Sequence, residues 1–267
     1  MPDLDSRSKY LRRLAIRCLR GGQRGHIGST FSLTEIMRVL YDDVAQHNPE
    51  DPAWEGRDRI ILSKGHGCVA QYAMLADKGY ISMTALDTFC RKDGILGGHP
   101  SHKVPGIECD TGALGHGLSM GIGMALAAKI RKQDYRVFVV MGDGEIQEGS
   151  VWEAAMCAAK HKLDNLTVII DYNKIQSSGF VKDICPLEPL ADKWDAFGFG
   201  IWECDGHSLS DLKAALDDAA RYDEKPTCII AHTVKGKGIS FAENQPLWHH
   251  KAHITEEQFQ ALEAEVA

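Results

Sequence analysis

The sequence predicts an α/β fold, a parallel sheet covered by helices on both faces, and three observations predict it. Short continuous apolar runs, "VFVVM" at 137–141 and "LTVIIDY" at 166–172 among them, recur at strand length. Strands buried on both faces require such runs. The runs alternate with helical patterns of about 10 to 15 residues, the signature of βαβ units. Finally, each run ends in glycine together with His, Asp, Asn or Lys, and ligands of open parallel sheets bind beyond the carboxyl ends of the strands.

The elements follow in order. Residues 3–20 read as a helix, because Leu4, Tyr10, Leu11, Leu14, Ala15, Cys18 and Leu19 fall near helical spacing. The glycine-rich "GGQRGHIGS" stops it as a loop, and a second helix is expected over 33–43. Residues 60–62 form a short strand ending in "SKGHG", and "CVAQYAMLADKG" is helical with Gly79 as its stop. Residues 94–117 hold seven glycines, two prolines and three histidines. A structureless connection of that length is usually functional or disordered. The helix "LSMGIGMALAAKIRK" follows. Strand 137–141, helix "GSVWEAAMCAAKHK" and strand 166–172 come next. A loop then leads to helix "PLADKWDAFG", strand "GIWECDG", helix "LSDLKAALDDAARY" and strand "TCIIAHTV". Residues 255–266 read as a short terminal helix. With no internal repeat or low-complexity linker, one domain spanning 1–267, including the helical segment 3–43, is the expected organisation.

Composition narrows the function. The chain has 267 residues, 44% of them hydrophobic, enough to bury a real core. A formal net charge of −7 argues against a broad footprint for nucleic acid or an anionic membrane. The charged start carries no secretory apolar core, and no apolar run reaches about 18 residues. A protein without a membrane span, in the cytoplasm, is expected. None of the eight cysteines forms a C-x-x-C, which favours reduced structural thiols over a disulfide framework.

The predicted strand ends collect the chemistry. They read Ser63-Lys64-Gly65-His66-Gly67, Gly142-Asp143-Gly144-Glu145, Asn173-Lys174-Ile175 and Lys235-Gly236-Lys237-Gly238. An aspartate between two glycines could be only a tight turn. Adjacent strand ends, however, would bring the Asp143 carboxylate beside the Asn173 amide oxygen, a pair of hard donors suited to a small divalent cation. The glycines would let a diphosphate approach the backbone, and the helix starting near Glu148 would offer N–H groups to that anion. A dinucleotide fingerprint is missing from the chain start. "HHKAH" lacks a cysteine or acid to complete a tetrahedral metal set. His47, His161 and His232 are read as structural, and Trp152, Met156 and Trp194 as core.

G-D-G-E followed about 30 residues later by N resembles the metal and diphosphate motif of thiamine diphosphate enzymes. More narrowly, the chain resembles the N-terminal, diphosphate-binding part of transketolase. "RGHIG", "LSKGHG", "GGHP", "DTGALGHGLSMGIGMALAAK", "MGDGEIQEGSVWEAA", "NLTVIIDYNKIQ", "TVKGKGISFAEN" and "LWHHK" occur in that order. The resemblance implies thiamine diphosphate and Mg²⁺, for which Ca²⁺ or Mn²⁺ could substitute. It implies Asp143 and Asn173 as metal ligands by side chain and Ile175 by its carbonyl. His66, Gly144 and His249 would hold the diphosphate or line the thiazolium side, with Glu148 also at the coenzyme. Gly112 and Leu114 would meet the aminopyrimidine through the backbone. His26, His99 and His249 would face the sugar, and Glu148 and Glu153 would join a carboxylate network across the interface between subunits.

The implied reaction is transfer of a two-carbon ketol unit from a ketose phosphate to an aldose phosphate. The sequence stops at Ala267, and the resemblance then implies a second polypeptide supplying the pyrimidine-binding and C-terminal domains, as an α₂β₂ assembly. Two departures from the family are His116, where many relatives carry glutamine, and His250, where many carry glycine. Alternative readings are the α chain of a 2-oxo acid dehydrogenase and a partner-binding remnant without catalysis.

Overall fold

The computed structural model describes residues 4–177 and 179–267. Helix α1 (Ser6–Gly22) starts where the Asp5 carboxylate accepts the Ser8 amide at 2.8 Å, a side-chain cap for an otherwise unpaired donor. Residue 3, where a start was expected, lies outside the described residues. The expected loop over "GGQRGHIGS" is shorter than predicted. After His26 the chain re-enters a helix, α2 (Ile27–Ser32), followed by α3 (Thr34–Val39) and a wide π turn, Leu40–Val44. Ile27, Phe31, Leu33, Ile36 and Met37 are all buried there, so tertiary packing overrides the glycine signal.

The sheet is as predicted. Strands β1 (Arg59–Leu62), β2 (Val137–Gly142), β3 (Leu166–Tyr172), β6 (Gly200–Asp205) and β7 (Thr227–His232) lie in the order β1-β2-β3-β7-β6. Every neighbouring pair is parallel. Between β3 and the next helix, the expected loop carries a small antiparallel pair, β4 (Ile175–Gln176) with β5 (Gly179–Phe180), and one helical turn, α7 (Val181–Ile184).

Side chains alternate across this sheet, as the strand period demands. Ile60, Leu62, Phe138, Val140, Ile169 and Ile229 enter one core with α1, α3, α4 (Cys68–Lys78), α9 (Leu209–Ala219) and α10 (Glu256–Glu265). Ile61, Val137, Val139, Met141, Val168 and Ile170 enter the other, with α5 (Gly117–Arg131), α6 (Gly149–Lys160) and α8 (Leu190–Ala196). Both faces are therefore covered. Gly79 closes α4 at φ 87°, as expected. Segment 94–116 contains no helix or strand and runs across the strand ends toward α5.

One core expectation fails. Trp194 is buried and Trp152 packs partly against the second core, but Met156 is 56% exposed. It sits on the outer side of α6, because Val151, Ala154, Ala155 and Ala158 already supply the face turned to the sheet. Among the described residues, no helix is long and apolar enough to cross a membrane. All eight cysteines are free.

Candidate active site

Strand register builds the site. Gly142 pairs with Asp171, so the residues just beyond β2 and β3 emerge side by side, and Asp143 and Asn173 share one rim. Leu62 pairs with Val140, and the Ser63 amide continues that ladder to the Val140 carbonyl at 2.8 Å. Lys64 and His66 thereby rise beside the Gly142–Gly144 turn. His232 pairs with Tyr172, which delivers the Thr233–Lys237 loop to the same rim.

These loops enclose a cleft of about 400 Å³. Its lining includes each of the residues singled out from sequence as catalytic, coenzyme-binding or metal-binding. They are His26, His66, His99, Gly112, Leu114, Asp143, Gly144, Glu148, Asn173, Ile175 and His249. Glu153, expected at an interface, is exposed on α6 and does not line the cleft. His116 is exposed at the start of α5, and His250 is exposed beside His26. His47 instead holds Tyr41 and Tyr80, and His232 holds Glu203, away from the cleft.

The cation-ready oxygens are buried but only lightly engaged. Asp143 is 3% exposed and accepts the Gly144 amide at 2.7 Å and the Lys174 amide. Burial pushes its carboxyl up despite the opposing pull of Lys235. Among the described residues the Asn173 oxygen accepts only the Ile175 amide, at 3.2 Å, and the Ile175 carbonyl accepts Lys235 Nζ at 2.6 Å. A divalent cation would relieve the cost of burying Asp143. The donor set of one carboxylate, one amide oxygen and one carbonyl leaves room for phosphate oxygens, which suits Mg²⁺ coordination.

Four residues that shape the cleft drew no assigned role from sequence: Lys64, Glu145, Asp171 and Lys235. Asp171 is completely buried and accepts Lys64 Nζ, Ser32 Oγ at 2.6 Å, Thr233 Oγ1 and Asn173 Nδ2 at 3.3 Å. Burial works against its charge, but Lys64 and the hydroxyl donors outweigh that and hold its carboxyl below the ordinary range. Glu145 accepts Ser63 Oγ, the Gly115 amide at 3.0 Å and the Gly142 amide at 3.1 Å. It therefore ties the "TGALG" loop to the "GDGE" turn. The signal for Asp171 was legible: an acid inside a fully buried strand needs a partner.

Glycine is required at two of the lining positions. Gly112 lies at φ 128°, and a Cβ there would stand 2.7 Å from the His99 ring. A Cβ on Gly144 would meet that of Gln176 at 2.9 Å. Backbone is thus kept bare on two walls, the condition for close approach of a ligand.

The histidines form one cluster. Ring centroids of His26 lie 5.2 Å from His66, 5.4 Å from His249 and 6.3 Å from His99. Burial, then His250 and His99, push His26 down to about 3. Burial, then Lys235 and His26, push His249 to about 3 as well. His66 is lowered well below its usual value and His99 is lowered, burial leading in both. At neutral pH these imidazoles are uncharged, so each can donate one hydrogen bond and accept another. Among the described residues His249 Nδ1 is buried with no hydrogen-bond partner, an atom left for a ligand.

Comparison with known proteins agrees with this geometry. The family described as "Transketolase, thiamine diphosphate binding domain" matches residues 5–266. The chain is 42% identical over 259 residues to an apulose-4-phosphate transketolase subunit of Phocaeicola vulgatus, covering 97% of this chain and 92% of that protein. It is 41% identical to 6-deoxy-6-sulfo-D-fructose transketolase subunit SqwG of a Clostridium species, covering 99% of this chain and 96% of that one. The crystal structure of transketolase from Campylobacter jejuni superposes with a TM-score of 0.92 at 32% identity. The match covers 98% of this chain but 42% of that longer one. Similarity of this extent selects transketolase over a 2-oxo acid dehydrogenase α chain.

Proposed function

This chain belongs to the transketolase thiamine diphosphate-binding family, and on that premise we propose how its cleft serves ketol transfer. The observation that carries the reading is the convergence of the residues expected to bind the sugar, the coenzyme and the metal on one cleft at the strand ends. Asp143, Asn173 and the Ile175 carbonyl hold Mg²⁺. Gly144, His66 and Lys235 meet the diphosphate side of the coenzyme, His249 lines its thiazolium side, and the backbone at Gly112 and Leu114 meets its aminopyrimidine. When bound, thiamine diphosphate supplies the nucleophilic carbon and the electron sink for breaking a ketose C2–C3 bond.

The protein's own part is positioning and proton handling. His26, His99 and His249 face the sugar, and because burial keeps His26 and His249 uncharged, they can bind hydroxyls as donor or acceptor. Glu145 holds the Gly115 and Gly142 backbones in fixed relation, so the coenzyme meets two pre-set walls. Asp171 fixes the Asn173 amide.

Similar proteins of nearly the same length are named as subunits of a transketolase, which supports a second polypeptide that completes the site. The exposed Glu148 and Glu153 are then residues of the shared interface, in an α₂β₂ assembly. The single domain folds as one unit, and the cytoplasm is its compartment. Sugar phosphates are the proposed donor and acceptor class.

Isothermal titration decides the coenzyme reading. Wild-type complex purified from its own cells should bind thiamine diphosphate only with Mg²⁺, and Asp143→Ala should lose that binding. Undiminished binding by the variant would remove Asp143 from the metal site. Native mass spectrometry of the same complex should show a second chain, and a coenzyme-free homo-oligomer would contradict the split enzyme.

A further inference from the structure

A second cavity, of about 570 Å³, opens beside the coenzyme cleft and shares His26, His66 and His99 with it. The two spaces adjoin, with the shared histidines as their common wall. Beyond that wall the lining changes character. Arg24, Arg91, His250 and Ser101 face the outer cavity, and no carboxylate lines it among the described residues. In a chain with net charge −7, a cavity free of acids is a local reversal of sign.

Both arginines keep unused donors, and one of them is anchored. Arg91 Nε donates to the Gly21 carbonyl at 2.7 Å, which anchors its stem, while its terminal nitrogens make no hydrogen bond among the described residues. Asp87, an acid near enough to Arg91 to feel its charge, is already taken by Arg17 at 2.6 Å. Arg24 has no hydrogen bond or ion pair among the described residues. His250 stands with its ring 4.5 Å from that of His26, so it links the arginine side to the sugar-facing histidines. Arg24 is close enough to act electrostatically on His250. A planar guanidinium with free donors is the group that recognises a tetrahedral oxyanion.

Building on the ketol-transfer reading, we infer that this cavity is an anion subsite of the chain's own. Arg24 and Arg91, with His250 and Ser101, hold a terminal phosphate or sulfonate of the ketose donor while its carbonyl end lies against His26 and His99. This chain then sets specificity for the far end of the sugar as well as holding the coenzyme. The partner's contacts are additional to it.

The test uses the coenzyme-loaded complex in two arms. Calorimetry with inorganic phosphate should detect binding by wild type and about tenfold weaker binding by Arg24→Gln, the loss of one charge-assisted hydrogen bond. Kinetics with fructose 6-phosphate, its 6-sulfonate analogue and the uncharged ketose L-erythrulose should show KM raised for an anionic donor, kcat little changed and L-erythrulose unaffected. A rise confined to phosphate or to sulfonate identifies which anion the subsite serves. Arg24→Lys should recover part of the loss. Wild type that binds no phosphate, or a variant that changes charged and uncharged donors alike, would overturn the inference. If wild type turns over no ketose at all, the ketol-transfer reading fails, while the phosphate calorimetry still decides the subsite.

Discussion

Asp171 accepts a hydrogen bond from Asn173 Nδ2 at 3.3 Å, two residues along the same strand end. A carboxylate can only accept, so it takes the amide's nitrogen and leaves the oxygen to the Ile175 amide and the cleft. The metal-ready orientation of Asn173 is thus imposed by a buried charge that never lines the cleft itself.

Replacing that charge should separate structure from binding. Asp171→Asn removes the partner of buried Lys64 and lets the Asn173 amide reverse. Breaking a buried ion pair on one side costs about 3–5 kcal/mol. A loss near that size in chemical denaturation, together with Mg²⁺-dependent coenzyme affinity lowered by tenfold or more, is expected. Unchanged affinity would show that Asn173 keeps its orientation without Asp171.

Lys235 is buried on the cleft wall with its Nζ 2.6 Å from the Ile175 carbonyl, and burial pushes its amine down to about 7. Lys235→Met keeps the stem and deletes the amine. Coenzyme affinity should fall about 10- to 100-fold, the range of a hydrogen bond to a charged group. Calorimetry reads it directly, and an affinity equal to wild type would limit Lys235 to supporting the Ile175 loop.

His26→Ala should separate binding from transfer. The imidazole sits in the histidine cluster rather than among the metal-ready oxygens, so coenzyme affinity should stay within about threefold. Turnover should drop about 10²- to 10⁴-fold, the range of a lost proton-handling group. Equal turnover in a steady-state assay would remove His26 from the chemistry.

The histidine cluster also predicts a pH dependence of stability. His26 and His249 are held at about 3 in the folded chain against an ordinary 6.5. Between those limits the unfolded chain binds protons that the folded chain refuses, so stability is intact above about pH 6.5 and declines as pH falls toward 3. Urea midpoints should decrease from pH 7.5 to 5.5 and do so less in a His26→Asn/His249→Asn double variant. An equal decrease in both proteins would place the sensitivity elsewhere.

The similarity of "SKGHG", "GDGE" and "NKI" to a known motif was legible because it is local: each is a few residues after an apolar run. Parallel strands put their carboxyl ends on one side, so a list of strand ends was already a list of site residues. The sequence also determined the sheet, since continuous apolar runs between helices leave few other ways to bury both faces. Chemistry at contiguous positions survives without coordinates.

The remainder needed the tertiary structure. Lys64 and Asp171 are 107 positions apart, and only strand order makes them partners. Glu145 drew no role from sequence until the fold brought Gly115 to it. Met156 had the composition of a core residue, yet the small residues of α6 took the sheet-facing side and left it outside. A short helix at 27–32 formed where glycines suggested a loop, because burial against the first core outweighs local propensity. Spacing along a chain fixes which residues can share a rim. Which charges are buried, paired and aimed depends on long-range packing, because burial and pairing belong to the three-dimensional neighbourhood.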